Sequence, residues 1–329
     1  MKEFDELQAL LLREDATFFS PDPACSLAAS SLAASPSAPF SKTRWVQGYI
    51  CLGCLVVVVL LGVPTGHAPG LFILALPVLV FLNEGFQNPD PNNEDATRRC
   101  AMEAFGKGLL LGPPLLACAE CVLGVLLALV CFGADEFQRI VWEASKQHPS
   151  GSAPGTLSTR LYREAAQTDP WAAGVFALLT SLLIAGGCEE GFKMCIGAWQ
   201  MLVHKQHKRT LQPNLVLAAA GLGLAYSESV LAIISCSATS SQRSIALVAA
   251  ERVLTCFPIH IFCAVWTARR ASSTHSAKSW FAALLPSAIA HGLYDFGLLI
   301  CSNYASTRFI GLGWGMCSAF ATTVAGIRA

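Results

Sequence analysis

Charged residues are scarce in this chain of 329 residues: Asp, Glu, Lys and Arg together make up 13% of it. Soluble globular domains carry about 25%, so the composition excludes an ordinary soluble domain. The 22 basic residues balance the 22 acidic ones, and the chain therefore lacks the basic excess typical of proteins that bind nucleic acid. Hydrophobic residues take the place of charge, at 53% of the sequence and a mean hydropathy of +0.51.

Apolar segments long enough to cross a lipid bilayer recur along the chain. They predict an all-α fold, a multi-pass transmembrane helix bundle of about eight spans. The second span has the shortest uninterrupted apolar run, because Gly70 and Pro77 interrupt it, and without it the count is seven. The predicted spans cover 46–63, 66–83, 108–132, 171–199, 214–236, 244–268, 280–301 and 308–327.

Basic residues are concentrated in the segments on one side of these spans. The positive-inside rule therefore predicts a cytoplasmic N-terminus. The basic residues of the long 133–170 loop lie on the opposite side, but long loops weigh less in this rule. The residues that support the orientation are Lys42, Arg44, Arg98, Arg99, Lys107, Lys205, Lys208, Arg209, Arg269, Arg270 and Lys278.

The first 44 residues differ in composition from the remainder. They form a polar leader, rich in Ser, Ala and Pro over 26–40, which we expect to be disordered apart from a short amphipathic helix over Glu3–Leu12. The leader lacks a basic stretch followed by an apolar core, so we do not expect a cleaved signal peptide.

Three further parts follow the leader. We predict peripheral transmembrane helices over 45–132, a long extramembrane loop over 133–170 and a membrane-embedded core over 171–329, with four helices at its centre. The loop has room for a surface helix over Glu136–Lys146.

Cysteine is abundant, with 14 residues, and two C-x-x-C pairs occur. In a soluble chain such pairs suggest a zinc site. Here both pairs fall within predicted spans, where the i,i+3 spacing places two small apolar side chains on one helix face. We interpret the pairs Cys51/Cys54 and Cys118/Cys121 as packing residues.

The most informative residues are ionisable side chains inside apolar spans. A charged side chain at the centre of a bilayer costs about 2.5–3.5 kcal/mol even on the lenient insertion scale. Four consecutive spans carry such residues, which predicts that their helices share one buried polar site. The residues are Glu189, Glu190 and Lys193 in the fourth span, Glu228 in the fifth, Arg252 and His260 in the sixth, and His291 and Asp295 in the seventh.

The spacing of these residues limits their roles. Glu189 and Lys193 are at i,i+4, which predicts an internal ion pair. His291 and Asp295 are also at i,i+4, a spacing that suits either two metal ligands or an Asp that orients a His. Either Glu189 or Glu190 could act as a general base towards water.

The sixth predicted span carries a cation and an imidazole on one face. Arg252 and His260 are eight residues apart, slightly more than two helical turns. Pro258 lies between them and is expected to kink the helix and to open backbone groups towards a cavity.

Each cluster alone has an ordinary structural explanation. Adjacent carboxylates can end a span, and a single intramembrane His usually forms a hydrogen bond between helices. Together the clusters supply several carboxylates, two imidazoles and two cations, an inventory that favours hydrolysis assisted by a metal or by a glutamate.

The order of these motifs resembles that of the PrsW family of intramembrane proteases, which belongs to the same broad clan as the CAAX prenyl endopeptidases. The family pattern runs EExxK, then a Gly-aromatic-Ala-x-x-Glu-Asn segment, then R-x7-H, then HGxYD. The chain has EEGFK at 189–193, GLAYSES at 223–229, Arg252 followed by His260, and HGLYD at 291–295. The second motif departs from the pattern, because it lacks the aromatic after Gly223 and the Asn after Glu228. The leader, the early spans and the 133–170 loop lie outside the pattern.

The resemblance implies hydrolysis of peptide bonds in membrane-anchored protein substrates. It implies catalytic roles for Glu189, Glu190, His260 and His291. His260 and His291 are the candidate metal ligands, together with Glu189 or Glu190, and zinc is the candidate metal; a glutamate mechanism without metal uses the same residues. Supporting roles fall to Lys193, Glu228, Arg252 and Asp295.

Two other functional classes fit an intramembrane polar site. A non-catalytic membrane scaffold related to the gamma-secretase scaffold subunit would keep the fold, but retention of both glutamates and both histidines argues against it. A proton- or ion-coupled transporter also uses intramembrane Glu and His, but it does not require this motif order.

Overall fold

A computed structural model describes residues 66–87, 94–146, 157–203, 212–235, 242–272, 277–302 and 308–328. These residues are helical almost throughout and form no β-strand, which confirms the predicted all-α bundle. The first predicted span, 46–63, and the polar leader with its predicted helix over Glu3–Leu12 lie outside the described residues.

One helix of the described part changes its geometry midway. A π-helical segment, Ser181–Glu189, joins α5 to α6 without a break. In chain order the helices are α1 (Ala68–Gln87), α2 (Glu94–Phe132), α3 (Ala134–Lys146), α4 (Leu157–Thr168), α5 (Pro170–Thr180), α6 (Glu190–Val203), α7 (Pro213–Ile234), α8 (Gln242–Leu254), α9 (Cys256–Ser272), α10 (Ala277–Ser302) and α11 (Arg308–Arg328).

Five helical stretches in the described part are long and apolar enough to cross a membrane. They correspond to the third to seventh predicted spans, so the chain is an integral membrane protein. The apolar part of α1 is shorter, and α11 forms a helix over the eighth predicted span without being one of the five; the count of eight therefore stays a prediction. The five stretches are Thr97–Phe132, Pro170–Gln200, Pro213–Ile234, Ser244–Ala271 and Phe281–Cys301.

The outer surface of the bundle is apolar. Large hydrophobic side chains point away from the protein on several helices, and Val130 and Phe281 are 80% and 81% exposed. In water such a surface would favour aggregation, whereas lipid chains solvate it without cost. Inside the bundle, buried polar residues such as Lys193 and His260 are grouped together. This inverted distribution is the one expected for a bundle that is embedded in a bilayer.

Helix α7 is the central element, because α2 and α9 pack along it over long stretches and α1, α6 and α8 also contact it. Its sequence explains how so many helices fit: between Ala218 and Ala225 every residue except Leu222 and Leu224 is Ala or Gly, and most of this stretch is buried. At Gly221 the backbone lies against α9, since a Cβ atom there would overlap the carbonyl of His260. Small residues at such positions let transmembrane backbones approach each other. Gly221 thereby sets the position of the His260 backbone.

The sixth predicted span consists of two helices. Helix α8 ends at Leu254, Thr255 forms a turn, and α9 begins at Cys256. Proline lacks an N–H and its ring clashes with the carbonyl four residues earlier, which for Pro258 is the carbonyl of Leu254. The span is therefore interrupted near the proline, and the break lies one turn before Pro258 itself; the expected opening of backbone groups towards a cavity stays a prediction.

The segment over 133–170 contains two helices, α3 and α4. The predicted surface helix over Glu136–Lys146 is confirmed, and it begins slightly earlier, after Gly133 turns the chain with a φ of +77°. Asp169 caps the next helix, because its carboxylate accepts hydrogen bonds from the N–H groups of Trp171 and Ala172.

The π-helical segment lies against α10 at two facing glycines. A Cβ atom on Gly186 would overlap the carbonyl of Ala288, and one on Gly292 would lie 2.8 Å from the Cα atom of Leu182. Because neither residue has a side chain, the two backbones are in direct contact. This contact places the residue that follows the π segment, Glu190, beside His291.

We predict that Gly186→Ala destabilises the protein, whereas Gly174→Ala does not. The methyl group on residue 186 meets the backbone of Ala288, and overpacking of this kind costs about 1–3 kcal/mol. Gly174 lies on the same continuous helix with open space around its Cα, so alanine there should gain about 0.5–1 kcal/mol from helix propensity. Equilibrium unfolding in detergent micelles measures both. Equal stability of the two variants would contradict the backbone contact.

Candidate active site

Glu190 is the centre of a buried hydrogen-bonded group. Its Oε1 accepts from Lys193 Nζ at 2.5 Å and lies 2.7 Å from Nδ1 of His291. All three side chains are buried. A carboxylate only accepts hydrogen bonds, so Nδ1 of His291 carries the proton and the lone pair is on Nε2. Glu190 therefore fixes both the orientation and the tautomer of His291.

The pairing of Lys193 differs from the one predicted from the sequence. The i,i+4 spacing predicted an ion pair between Glu189 and Lys193, but Lys193 pairs with Glu190 at i,i+3. Both spacings place two side chains near one face of an α-helix, so spacing alone does not distinguish the two possible partners. Glu189 is instead turned towards the two histidines.

Glu189 contacts both imidazoles. Its Oε2 lies 3.6 Å from Nε2 of His291 and 3.9 Å from Nδ1 of His260. The two rings pack edge to face with their centroids 4.7 Å apart. Within the described part of the chain, Glu189 Oε2 and His260 Nδ1 are buried and make no hydrogen bond. Buried polar atoms normally have a partner, so these two atoms mark the place where a water molecule, an ion or a substrate group belongs.

His260 is held from its other edge by a carboxylate on α7. Its Nε2 lies 3.1 Å from Oε2 of Glu228. By the same reasoning as for His291, Nε2 is the protonated nitrogen and Nδ1 carries the lone pair. The two histidines are thus held in the same way: a carboxylate contacts one ring nitrogen, and the other ring nitrogen faces Glu189.

Asp295 lies on the side of His291 that faces Glu189. Its Oδ2 is 3.5 Å from Nε2 of His291, the nitrogen that carries the lone pair. The sequence left open whether Asp295 orients the histidine or stands beside it as a ligand; the residue that contacts Nδ1 is Glu190.

Arg252 is one step removed from the histidines. Its Nη1 lies 3.6 Å from the sulfur of Cys256, and Cys256 in turn is close to Glu228 and His260. Cys256 was missed in the sequence, although its position four residues after Arg252 and four before His260 places all three near one helix face. Tyr294 was also missed; its hydroxyl donates to Oγ1 of Thr255 at 3.0 Å and ties α10 to the break between α8 and α9.

Exposure increases from one side of the site to the other. The side chains of Glu190, His260 and His291 are buried, whereas those of Glu189, Glu228 and Asp295 are 13%, 25% and 34% exposed. Glu189, Glu228 and Asp295 therefore line the exposed side of the site, and the imidazoles form its back wall.

The donor atoms of Glu189, His260 and His291 suit a metal ion. All three lie within 4.8 Å of one another. Zinc bonds of about 2.0–2.1 Å in a tetrahedron separate the donors by roughly 3.3 Å, close to the 3.6 and 3.9 Å between Glu189 and the two histidines. Carboxylates on the far nitrogens of metal-binding histidines are the usual supporting contacts, and Glu190 and Glu228 supply them. The unpartnered atoms of Glu189 and His260 are thus among the donors that fit the ion.

Comparison with known proteins identifies the family. No curated protein and no solved structure matches the chain. A family model described as PrsW family intramembrane metalloprotease matches residues 113–325, about two thirds of the sequence. The match includes the 133–170 segment, which we expected to lie outside the family pattern, and all the site residues described above. The chain therefore belongs to the PrsW family of intramembrane metalloproteases.

Proposed function

We propose that this protein is an endopeptidase that hydrolyses peptide bonds of membrane-anchored proteins at the group formed by Glu189, His260 and His291. The observation that supports this proposal is the convergence of three helices on one unpartnered carboxylate oxygen, with each imidazole held in a defined tautomer. A scaffold has no need of such an arrangement. The apolar outer surface embeds the bundle in the bilayer. The group therefore lies at a depth where membrane-anchored chains are found.

Glu189 is the residue we assign to the attacking water. Its Oε2 faces both histidines and its side chain is partly exposed, whereas the side chain of Glu190 is fully buried and its Oε1 is occupied by Lys193 and His291. Glu189 takes a proton from water as the oxygen attacks the scissile carbonyl carbon. When the C–N bond of the tetrahedral intermediate breaks, the same proton is transferred to the leaving amine nitrogen.

A metal ion would be held by His260, His291 and Glu189. When bound, zinc supplies a polarised water molecule and a positive charge for the oxygen of the tetrahedral intermediate. In a metal-free version His260 and His291 would perform the second task only after each binds a second proton, on Nδ1 of His260 and Nε2 of His291, because these nitrogens otherwise carry lone pairs. Both versions depend on the same three residues, and in both the attacking oxygen lies against Glu189.

Glu190 and Lys193 act by positioning the imidazole of His291. The lysine neutralises the carboxylate that holds His291, so the imidazole is oriented without adding net negative charge to the back wall. Glu228 has the corresponding role for His260. We therefore class Glu190, Lys193 and Glu228 as positioning residues, together with Arg252. Asp295, the most exposed carboxylate of the site, borders the entrance for water and substrate.

The membrane orientation belongs to the same proposal. We infer a cytoplasmic N-terminus from the distribution of basic residues, and a multi-pass arrangement in which the four site-bearing spans surround the catalytic group.

We predict that Glu189→Gln and Glu190→Gln reduce proteolysis to different extents. Loss of the water-activating carboxylate should lower the rate about 10²–10⁴-fold. Glutamine at position 190 still accepts a hydrogen bond from Nδ1 of His291, so its loss should be about 10–100-fold, as for other residues that support a metal ligand. Cleavage of a single-span reporter in liposomes measures both rates.

The matched control is Glu136→Gln, which changes the same functional group on the surface helix α3 and should leave the rate unchanged. Full activity of Glu189→Gln would overturn the assignment. Ion flux that the same variants abolish, without proteolysis by the wild-type protein, would instead identify a transporter.

We predict that the buried ion pair is strongly coupled. Lys193→Met leaves the Glu190 carboxylate buried without its counter-charge, which should cost about 3–5 kcal/mol, and the double variant Glu190→Gln/Lys193→Met should recover most of this loss. Equilibrium unfolding in detergent measures the double-mutant cycle. The exposed pair Arg139 and Glu136 is the control and should show much weaker coupling. Additive effects at 190 and 193 would contradict the pairing.

We predict one zinc per chain in purified active protein. His260→Ala and His291→Ala should each lose it, because each removes a donor from the set, whereas Cys263→Ala should retain it. Elemental analysis by mass spectrometry gives the ratio directly. Full activity in protein that contains no metal would establish the metal-free version.

A further inference from the structure

We propose that Cys256, Glu228 and His260 form a second metal site, specific for thiophilic divalent cations, which competes with the catalytic group for His260. The inhibitory effect of this site rests on the proposed function, whereas the binding itself does not. The sulfur, the carboxylate and the imidazole lie with their donor atoms within 4.8 Å of one another.

The geometry requires only a small adjustment to hold an ion. Oε2 of Glu228 and Nε2 of His260 are already 3.1 Å apart, close to the roughly 3.3 Å between donors of a tetrahedral zinc ion. Cys256 and His260 are at i,i+4 on α9, so both point to the same side of the helix. Glu228 reaches them from α7, and its partial exposure connects the group to water.

Two polar groups lie against the sulfur of Cys256. Nη1 of Arg252 lies 3.6 Å from the sulfur, and the hydroxyl of Ser229 lies 3.9 Å from it. Both groups donate to a sulfur acceptor, and the guanidinium adds a positive charge. A thiolate ligand selects soft or borderline cations over magnesium and calcium. Coordination releases the thiol proton, which leaves by the exposed side of Glu228.

His260 cannot serve both sites at once. The catalytic group uses Nδ1, which requires the proton on Nε2, where it is donated to Glu228. The second site uses Nε2, the nitrogen that faces Glu228, which requires the proton on Nδ1. A neutral imidazole has a single lone pair available for coordination. A cation bound at Cys256 therefore removes the donor that the catalytic group needs and displaces Glu228 from its supporting contact.

Cadmium is the probe for the binding itself, because cadmium–thiolate bonds absorb in the ultraviolet. Titration of the detergent-solubilised full chain should give a thiolate band that Cys256→Ser reduces and Cys263→Ser leaves unchanged. Cys263 is the matched control, since it is also a buried cysteine of α9, but its sulfur contacts the carbonyl of Ser287 and belongs to neither group. Equal bands from the wild-type protein and Cys256→Ser would overturn the proposal.

The competition for His260 is tested by measuring cleavage of the reporter at increasing cadmium concentrations. The rate of each variant is compared with the rate of the same variant without cadmium. Cys256→Ser should need at least about tenfold more cadmium for half-inhibition than the wild-type protein or Cys263→Ser, since even supporting residues change metal affinity 10–100-fold. A band that depends on Cys256 without any inhibition of an active enzyme would overturn the competition for His260. A protein that shows the band but cleaves no reporter would contradict the proposed function and leave the binding site established.

Discussion

The site depends on one buried ion pair, between Glu190 and Lys193, that extends to His291. A carboxylate and an ammonium group that are both removed from water carry a large desolvation penalty, which their attraction offsets only if the geometry is good and the remaining polar atoms have partners. Here Oε1 of Glu190 accepts from both Lys193 and an imidazole on another helix, whereas Oε2 is buried and makes no hydrogen bond within the described residues. The pair thus joins α6 to α10 and sets the tautomer of the histidine with the same contact.

This contact requires helix backbones to approach closely, and small residues make that possible. Gly186 and Gly292 bring the π-helical segment against α10, and Gly221 brings α7 against the backbone of His260. Without a hydrophobic driving force between helices in lipid, close packing and interhelical hydrogen bonds hold a bundle together. The polar group at the centre and the glycines around it therefore support each other: close packing positions the hydrogen bonds, and the hydrogen bonds hold the packing.

Each histidine lies between carboxylates, and these carboxylates have two different roles. Glu190 and Glu228 orient the rings, while Glu189 faces the nitrogens that carry the lone pairs. The proposed catalysis uses the inner side of this arrangement. The outer side of His260, with Glu228 and Cys256, has metal-binding donors of its own, so the tautomer of a single imidazole determines which group is complete.

The sequence by itself determined the all-α membrane bundle, the four motif-bearing spans and the ionisable residues that come together in the site. The reason is that a charged side chain inside an apolar span is unfavourable unless it is buried together with other polar groups. It did not determine which glutamate pairs with Lys193, that Glu190 rather than Asp295 contacts Nδ1 of His291, or that Cys256 lies beside His260 and Glu228. An argument from residue spacing assumes a regular α-helix, and it specifies only which face of that one helix a side chain occupies. A π-helical segment precedes Glu190, and the carboxylates that hold the two histidines, Glu190 and Glu228, come from other helices, so only the tertiary structure could decide these contacts.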